Sequence, residues 1–140
     1  MDKKIVSFDF DDTLGFPAVQ EYAKMLIDRG IEVWIVTTRY DDPQKYLPDF
    51  LVTINVIPEN LKDEHNRLFN VADELGIPRE RIVFTNMEYK YKFFRDKPQF
   101  IWHLDDNRVE CELLEEHTSV KPILCKGEEW KVKCAKLLFD

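Results

Sequence analysis

The apolar run Ile5-Val-Ser-Phe8 is cut off by three carboxylates in four positions, Asp9, Asp11 and Asp12. Like charges crowded at a strand end are unfavourable unless a cation or a proton relieves the repulsion. A second apolar run, Phe100 to Leu104, stops in the same way at Asp105-Asp106-Asn107. Between them lie Thr37-Thr38-Arg39 after another apolar run, and Thr85-Asn86 with Lys90 and Lys92 just beyond. Helix capping explains Thr85 or Asn107 alone. It explains poorly why five carboxylates follow two strands. Asp9 and Asp106, with Asp105 beside them, make a hard, oxygen-only pocket of the kind Mg²⁺ takes while keeping waters for a phosphate to replace. A threonine such as Thr37 can donate to a phosphoryl oxygen, and a lysine can neutralise it as a compact charge. Acid, metal, hydroxyl and lysine together describe phosphoryl transfer.

These residues share a site only if the elements before them end on one edge. The pattern alternates strand and helix. Strands are expected over residues 4–9, 31–38, 51–57, 81–84, 100–104 and 120–125. Helices are expected over 17–29, from Pro58 to Gly76, over 88–96, over 108–116 and from Glu128. Pro17 suits a first helical turn, and Gly30 and Gly76 suit helix ends. Regular alternation predicts a Rossmann-like, three-layer α/β/α fold with a mainly parallel sheet. In such sheets the ligand site lies outside the carboxyl ends of the strands, where the acids gather. His65 and His117 fall in helices read as surface-facing, and His103 falls inside a strand, so core or surface roles are expected for all three.

The 140 residues suit one domain covering 1–140, with no repeat or linker. Apolar residues make up 44% and charged residues 34%, as in globular proteins that work in water. No apolar run approaches the ~20 residues of a membrane span. The N-terminus has no signal-peptide pattern, so a cytoplasmic setting is expected. Three cysteines without C-x-x-C spacing read as reduced, structural thiols. The net charge of −7 argues against general nucleic-acid binding. Two basic segments, one from Lys90 to Lys97 and one from Lys126 to Lys136, read mostly as solvated helix faces.

The acidic motifs resemble those of the haloacid dehalogenase-like (HAD) hydrolase superfamily, mostly Mg²⁺-dependent phosphatases. The first reads Asp9-Phe10-Asp11-Asp12-Thr13-Leu14, and the second reads WIVTTR with Thr37 at the key place. The third is a lysine before the last motif strand. The fourth reads FIWHLDDN, with Glu110 as a further acid. The resemblance spans residues 5 to 110. It implies Asp9 as a nucleophile forming an aspartyl-phosphate, and Asp11 as acid and then base. Mg²⁺ would be held by the Asp9 side chain, the Asp11 backbone carbonyl and Asp106, the last preferred over Asp105. Thr37 and Lys90 would grip the phosphoryl group, Lys90 being preferred over Lys92 because Phe93-Phe94 follow it. Asp12 is read as a spacer that supports the turn. Dehalogenase chemistry is not expected, since Asp11 is present.

The resemblance departs at two points. There is no room for a cap domain, and the flap after the first motif shrinks to about Gly15 and Phe16. An open site is therefore expected, with Thr38, Arg39, Lys92, Tyr40 and Phe16 as candidates to contact substrate. The expected partner is a phosphorylated substrate: a nucleotide, a polynucleotide end or a phosphoprotein. A partner protein is another way to complete an open site. The competing expectation is a non-catalytic binding or regulatory module that keeps the fold and the metal pocket.

Overall fold

The computed structural model describes residues 3–48 and 58–139. The strand expected at 51–57 lies outside the described residues. Five strands, β1 Ile5–Phe8, β2 Glu32–Thr37, β3 Ile82–Phe84, β4 Phe100–Asp105 and β5 Lys121–Leu124, form one sheet in the order β3-β2-β1-β4-β5. Every pairing is parallel. The helices are α1 Pro17–Asp28, α2 Glu59–Leu75, α3 Tyr91–Phe94, α4 Arg108–His117 and α5 Glu129–Phe139. This is the expected three-layer α/β/α architecture, with the sheet parallel throughout rather than mainly so.

Side-chain alternation along the strands divides the core into two layers. Val6 and Phe8, Val33 and Ile35, and Trp102 and Leu104 face one side, where α1, α2 and α5 pack through Leu26, Leu68 and Trp130. Val36 and Phe100 face the other, under Phe94 of α3 and Leu114 of α4. Burying both faces explains why these strands read as near-continuous apolar runs. One irregularity bears on the site. Ile5 pairs with Phe100 but Ser7 with His103, so β4 carries one extra residue. The bulge turns His103 toward Ser7 while Trp102 and Leu104 stay in the larger layer.

Two expectations need correction. The helix expected over 88–96 is a single turn, because Thr85 to Lys90 form a hydrogen-bonded loop and Pro98 follows closely. His65 is not a surface histidine. It is buried on α2, its Nε2 lies 3.0 Å from the Tyr40 carbonyl oxygen, and its ring stacks on Phe84 at 5.6 Å. No helix among the described residues is long and apolar enough to cross a membrane.

Candidate phosphoryl-transfer site

The carboxyl ends of β1 and β4 are adjacent because those strands pair, and Asp9 N donates to Leu104 O at 2.8 Å. After Asp9 the chain winds into one wide turn over Phe10–Leu14, closed by Leu14 N to Asp9 O and Gly15 N to Phe10 O. Phe10 and Leu14 are fully buried and anchor the turn, which leaves Asp11 and Asp12 at the surface. Asp12 has φ 58°, a left-handed conformation that aspartate tolerates better than most residues. It shapes the turn, the role expected of it.

Inside the cleft, buried charges are paired. Lys90 is 1% exposed, and its Nζ donates to Asp9 Oδ1 at 2.8 Å and to Asp105 Oδ2 at 2.6 Å. Asp105 Oδ2 also lies 2.8 Å from His103 Nε2, and His103 Nδ1 lies 2.8 Å from Ser7 Oγ. A neutral His103 with its proton on Nε2 satisfies both contacts, donating to Asp105 and accepting from Ser7. Asp105 Oδ1 accepts from Asn107 N at 3.0 Å, so both its oxygens are committed within the fold. The backbone of Lys90 is tied as well, its N–H donating to Glu110 Oε1 at 3.2 Å.

Proton affinities follow from this packing. Burial raises the Asp9 carboxyl well above its ordinary value, and the charge of Lys90 offsets only part of that. Burial would also raise Asp105, but the hydrogen bond from His103 and the charge of Lys90 hold it well below the usual carboxylate range. Burial would lower Lys90, yet Asp9 and then Asp105 keep it above the usual lysine value. Burial and the nearby Lys90 charge push His103 down to about 4, so it is neutral. Burial raises Asp106 and Glu110 above their ordinary values. It also raises the Cys111 thiol to about 12, which removes that residue as a nucleophile.

The cleft has a volume of about 190 Å³ and is lined by Asp9, Asp11, Asp12, Thr38, Lys90, Asp105, Asp106, Asn107 and Glu110. Oxygens of Asp9, Asp105 and Asp106 lie within 4.8 Å of one another. Two oxygens on opposite sides of a Mg²⁺ stand about 4.2 Å apart, at ~2.1 Å per bond. A set of oxygens grouped this closely, without sulfur or imidazole, suits a hard divalent cation. Because Asp105 is committed to Lys90, His103 and Asn107, Asp9 and Asp106 are the side chains available to hold one. Thr13 Oγ1 stands between them, 3.5 Å from Asp9 Oδ2 and 3.4 Å from Asp106 Oδ1.

The structure sorts the remaining candidates. Asp11 lines the cleft, but its carboxylate is gripped by Arg39, Nε to Oδ2 at 2.9 Å and Nη2 to Oδ1 at 2.6 Å. Arg39 is buried, tied also to the Glu64 carbonyl, and is not offered to a substrate. Thr37 is 1% exposed and its Oγ1 accepts from Arg39 N, so the hydroxyl residue on the cleft wall is Thr38. Lys92 is exposed and lines a separate cleft beside β3 with Phe84 and Asn86. Tyr40 packs against Tyr46 with ring centroids 4.8 Å apart, and Phe16 is half-exposed next to the turn.

Sequence reading missed Ser7, His103 and Glu64 as supports of the site. A signal existed for the first two. Ser7 and His103 stand two residues before Asp9 and Asp105, hence on the same strand faces. The chain matches no protein-family model, and no curated protein matches it significantly.

Proposed function

We propose that this chain is a Mg²⁺-dependent phosphomonoester hydrolase, of the HAD-like kind its motifs resemble, working through an aspartyl-phosphate. The observation that carries the reading is one contact set: Asp9 is held by Lys90 at 2.8 Å, and its carboxylate is grouped with Asp105 and Asp106 within 4.8 Å. Asp9 and Asp106 would hold Mg²⁺, which when bound draws charge from the phosphoryl oxygens and keeps the two carboxylates ionised.

In the reaction, an Asp9 oxygen bonds to phosphorus as the bond to the leaving oxygen breaks. The leaving oxygen takes a proton from Asp11, whose carboxyl enters this step protonated and with one oxygen released by Arg39. A water then gives its proton back to Asp11 and attacks phosphorus, the bond to Asp9 breaks, and phosphate departs. Lys90 moves part of its charge from Asp9 to the phosphoryl oxygens, while Asp105 holds its ammonium in place. Thr38 offers a hydroxyl at the cleft wall, and Arg39 sets the direction of the Asp11 carboxylate. The expected outcome is Mg²⁺-dependent hydrolysis of an aryl phosphate, reduced at least about a thousandfold by Asp9→Asn. Full activity in that variant excludes the covalent route.

One observation favours a second reading, a non-catalytic binding or regulatory module. Both oxygens of Asp11 are engaged by Arg39, so this acid is held by the fold rather than left free to protonate a leaving group. Mg²⁺-dependent trapping of BeF₃⁻, read by isothermal calorimetry, separates the two. Tight trapping favours the enzyme, and none favours the module.

A further inference from the structure

Beside the acidic cleft lies a second recess with the opposite character. It has a volume of about 310 Å³ and shares Thr38, Asn107 and Glu110 with the cleft. Its remaining wall carries Met87, Tyr89 and Val109, exposed by 59%, 54% and 51%. Single exposed apolar residues are ordinary, but here three of the eight large exposed hydrophobics among the described residues line one recess.

The backbone is strained where it carries Met87. Asn86 and Met87 are consecutive residues with positive φ, 53° and 68°, a conformation methionine rarely adopts. Hydrogen bonds to the two residues after β2 enforce it: Met87 N to Thr38 O at 2.7 Å, and Asn86 N to Arg39 O at 3.2 Å. Asp41 N also donates to Asn86 Oδ1 at 3.0 Å. Strain that the surroundings over-determine clusters at ligand sites. The Tyr89 ring is oriented too, lying 25° from the plane of Tyr91, which stacks on His117 at 4.6 Å.

We infer that this recess receives the leaving group of the substrate, and that the substrate is a phosphomonoester of a flat aromatic group, aryl or nucleoside. This rests on the phosphatase reading above. A thioether, a fixed phenol ring and an isopropyl group favour a planar apolar face over the hydroxyl-covered surface of a sugar. The volume is at the low end of the ~300–1,000 Å³ typical of small-molecule pockets, which suits one ring system. Glu88 on the rim, with the chain's net charge of −7, disfavours a polyanionic strand.

The test measures kcat/KM of the full chain with Mg²⁺ on phenyl phosphate, adenosine 5′-monophosphate, n-butyl phosphate and a 5′-phosphorylated oligonucleotide. The two aromatic monoesters are expected to be preferred, and whichever ranks first tells aryl from nucleoside. Met87→Asn keeps a residue that tolerates positive φ while removing the apolar side chain, and Tyr89→Ser removes the ring. Each is expected to lower the preference for the aromatic over the butyl ester about tenfold, mainly through KM. An unchanged preference in both variants, or a wild-type preference for the butyl ester or the oligonucleotide, overturns this inference and leaves the phosphatase reading standing. No hydrolysis of any ester by the wild-type chain overturns both.

Discussion

Lys90 and Arg39 both neutralise carboxylates of one cleft, yet they are built in differently. Lys90 sends a compact ammonium between Asp9 and Asp105, almost without solvent contact. Arg39 lays a planar fork along both oxygens of Asp11, rests 5.2 Å from the Phe10 ring centre, and anchors on α2 through Glu64 O. An ammonium can redistribute its three donors among whatever oxygens are nearest, a phosphoryl group included. A guanidinium bound bidentately fixes one carboxylate in one direction. In the proposed reaction Lys90 is therefore the cation that changes partners, and Arg39, releasing one oxygen at most, is the one that keeps its partner.

The strongest way to break this comparison is Lys90→Ala. It leaves Asp9 and Asp105 buried without their cation, and an expected loss of about 3–5 kcal/mol in urea unfolding at neutral pH follows. A loss below about 1 kcal/mol would mean that the two acids are not charged together in the folded state. His103 sharpens the same point. Its pKa is lowered to about 4 in the fold, against an ordinary value of ~6.5. The unfolded chain accepts a proton that the folded chain refuses. Stability from this residue is therefore full above pH ~6.5, falls as pH drops toward 4, and levels off below, roughly 3 kcal/mol in all. Asp9, raised by burial, acts with opposite sign, since the folded chain holds its proton more tightly than the unfolded one, and is common to wild type and variant. Unfolding curves of His103→Gln without divalent cation are expected to lack the histidine slope, and parallel curves would refute it.

On the arginine side effects are smaller. Arg39→Lys keeps the charge but loses the fork. Because the Asp11 side chain is half-exposed and screened, the expected cost to stability is about 1 kcal/mol. Hydrolysis of an aryl phosphate is expected to fall about tenfold in kcat, since Asp11 is no longer directed. Wild-type kcat would break the contrast between the two cations. Lys92→Ala is the smallest, within about 0.5 kcal/mol and without effect on hydrolysis, because Lys92 is exposed in another cleft.

The sequence by itself determined the alternation of strand and helix, the parallel sheet and the edge where the acids collect. These are local matters. Apolar runs ending in carboxylates mark buried strands and their carboxyl ends, whatever else the chain does. Gly30 and Gly76, at φ 84° and 78°, mark helix ends for an equally local reason. The resemblance favours Lys90 and Asp106, but why each takes its place rather than its neighbour is a matter of tertiary structure. Lys90 and Lys92 differ by two positions, and with Phe94 packed under the sheet it is Lys90 that is buried while Lys92 is exposed. Asp105 and Asp106 are adjacent, but strand alternation points Asp105 to Lys90 and His103, leaving Asp106 beside Asp9. Thr37 withdraws behind Thr38, and Arg39 turns from a residue of the mouth into the clamp on Asp11. The contacts of Arg39 with Asp11, Lys90 with Asp9 and Ser7 with His103 join residues 28, 81 and 96 positions apart, spans that no local pattern covers.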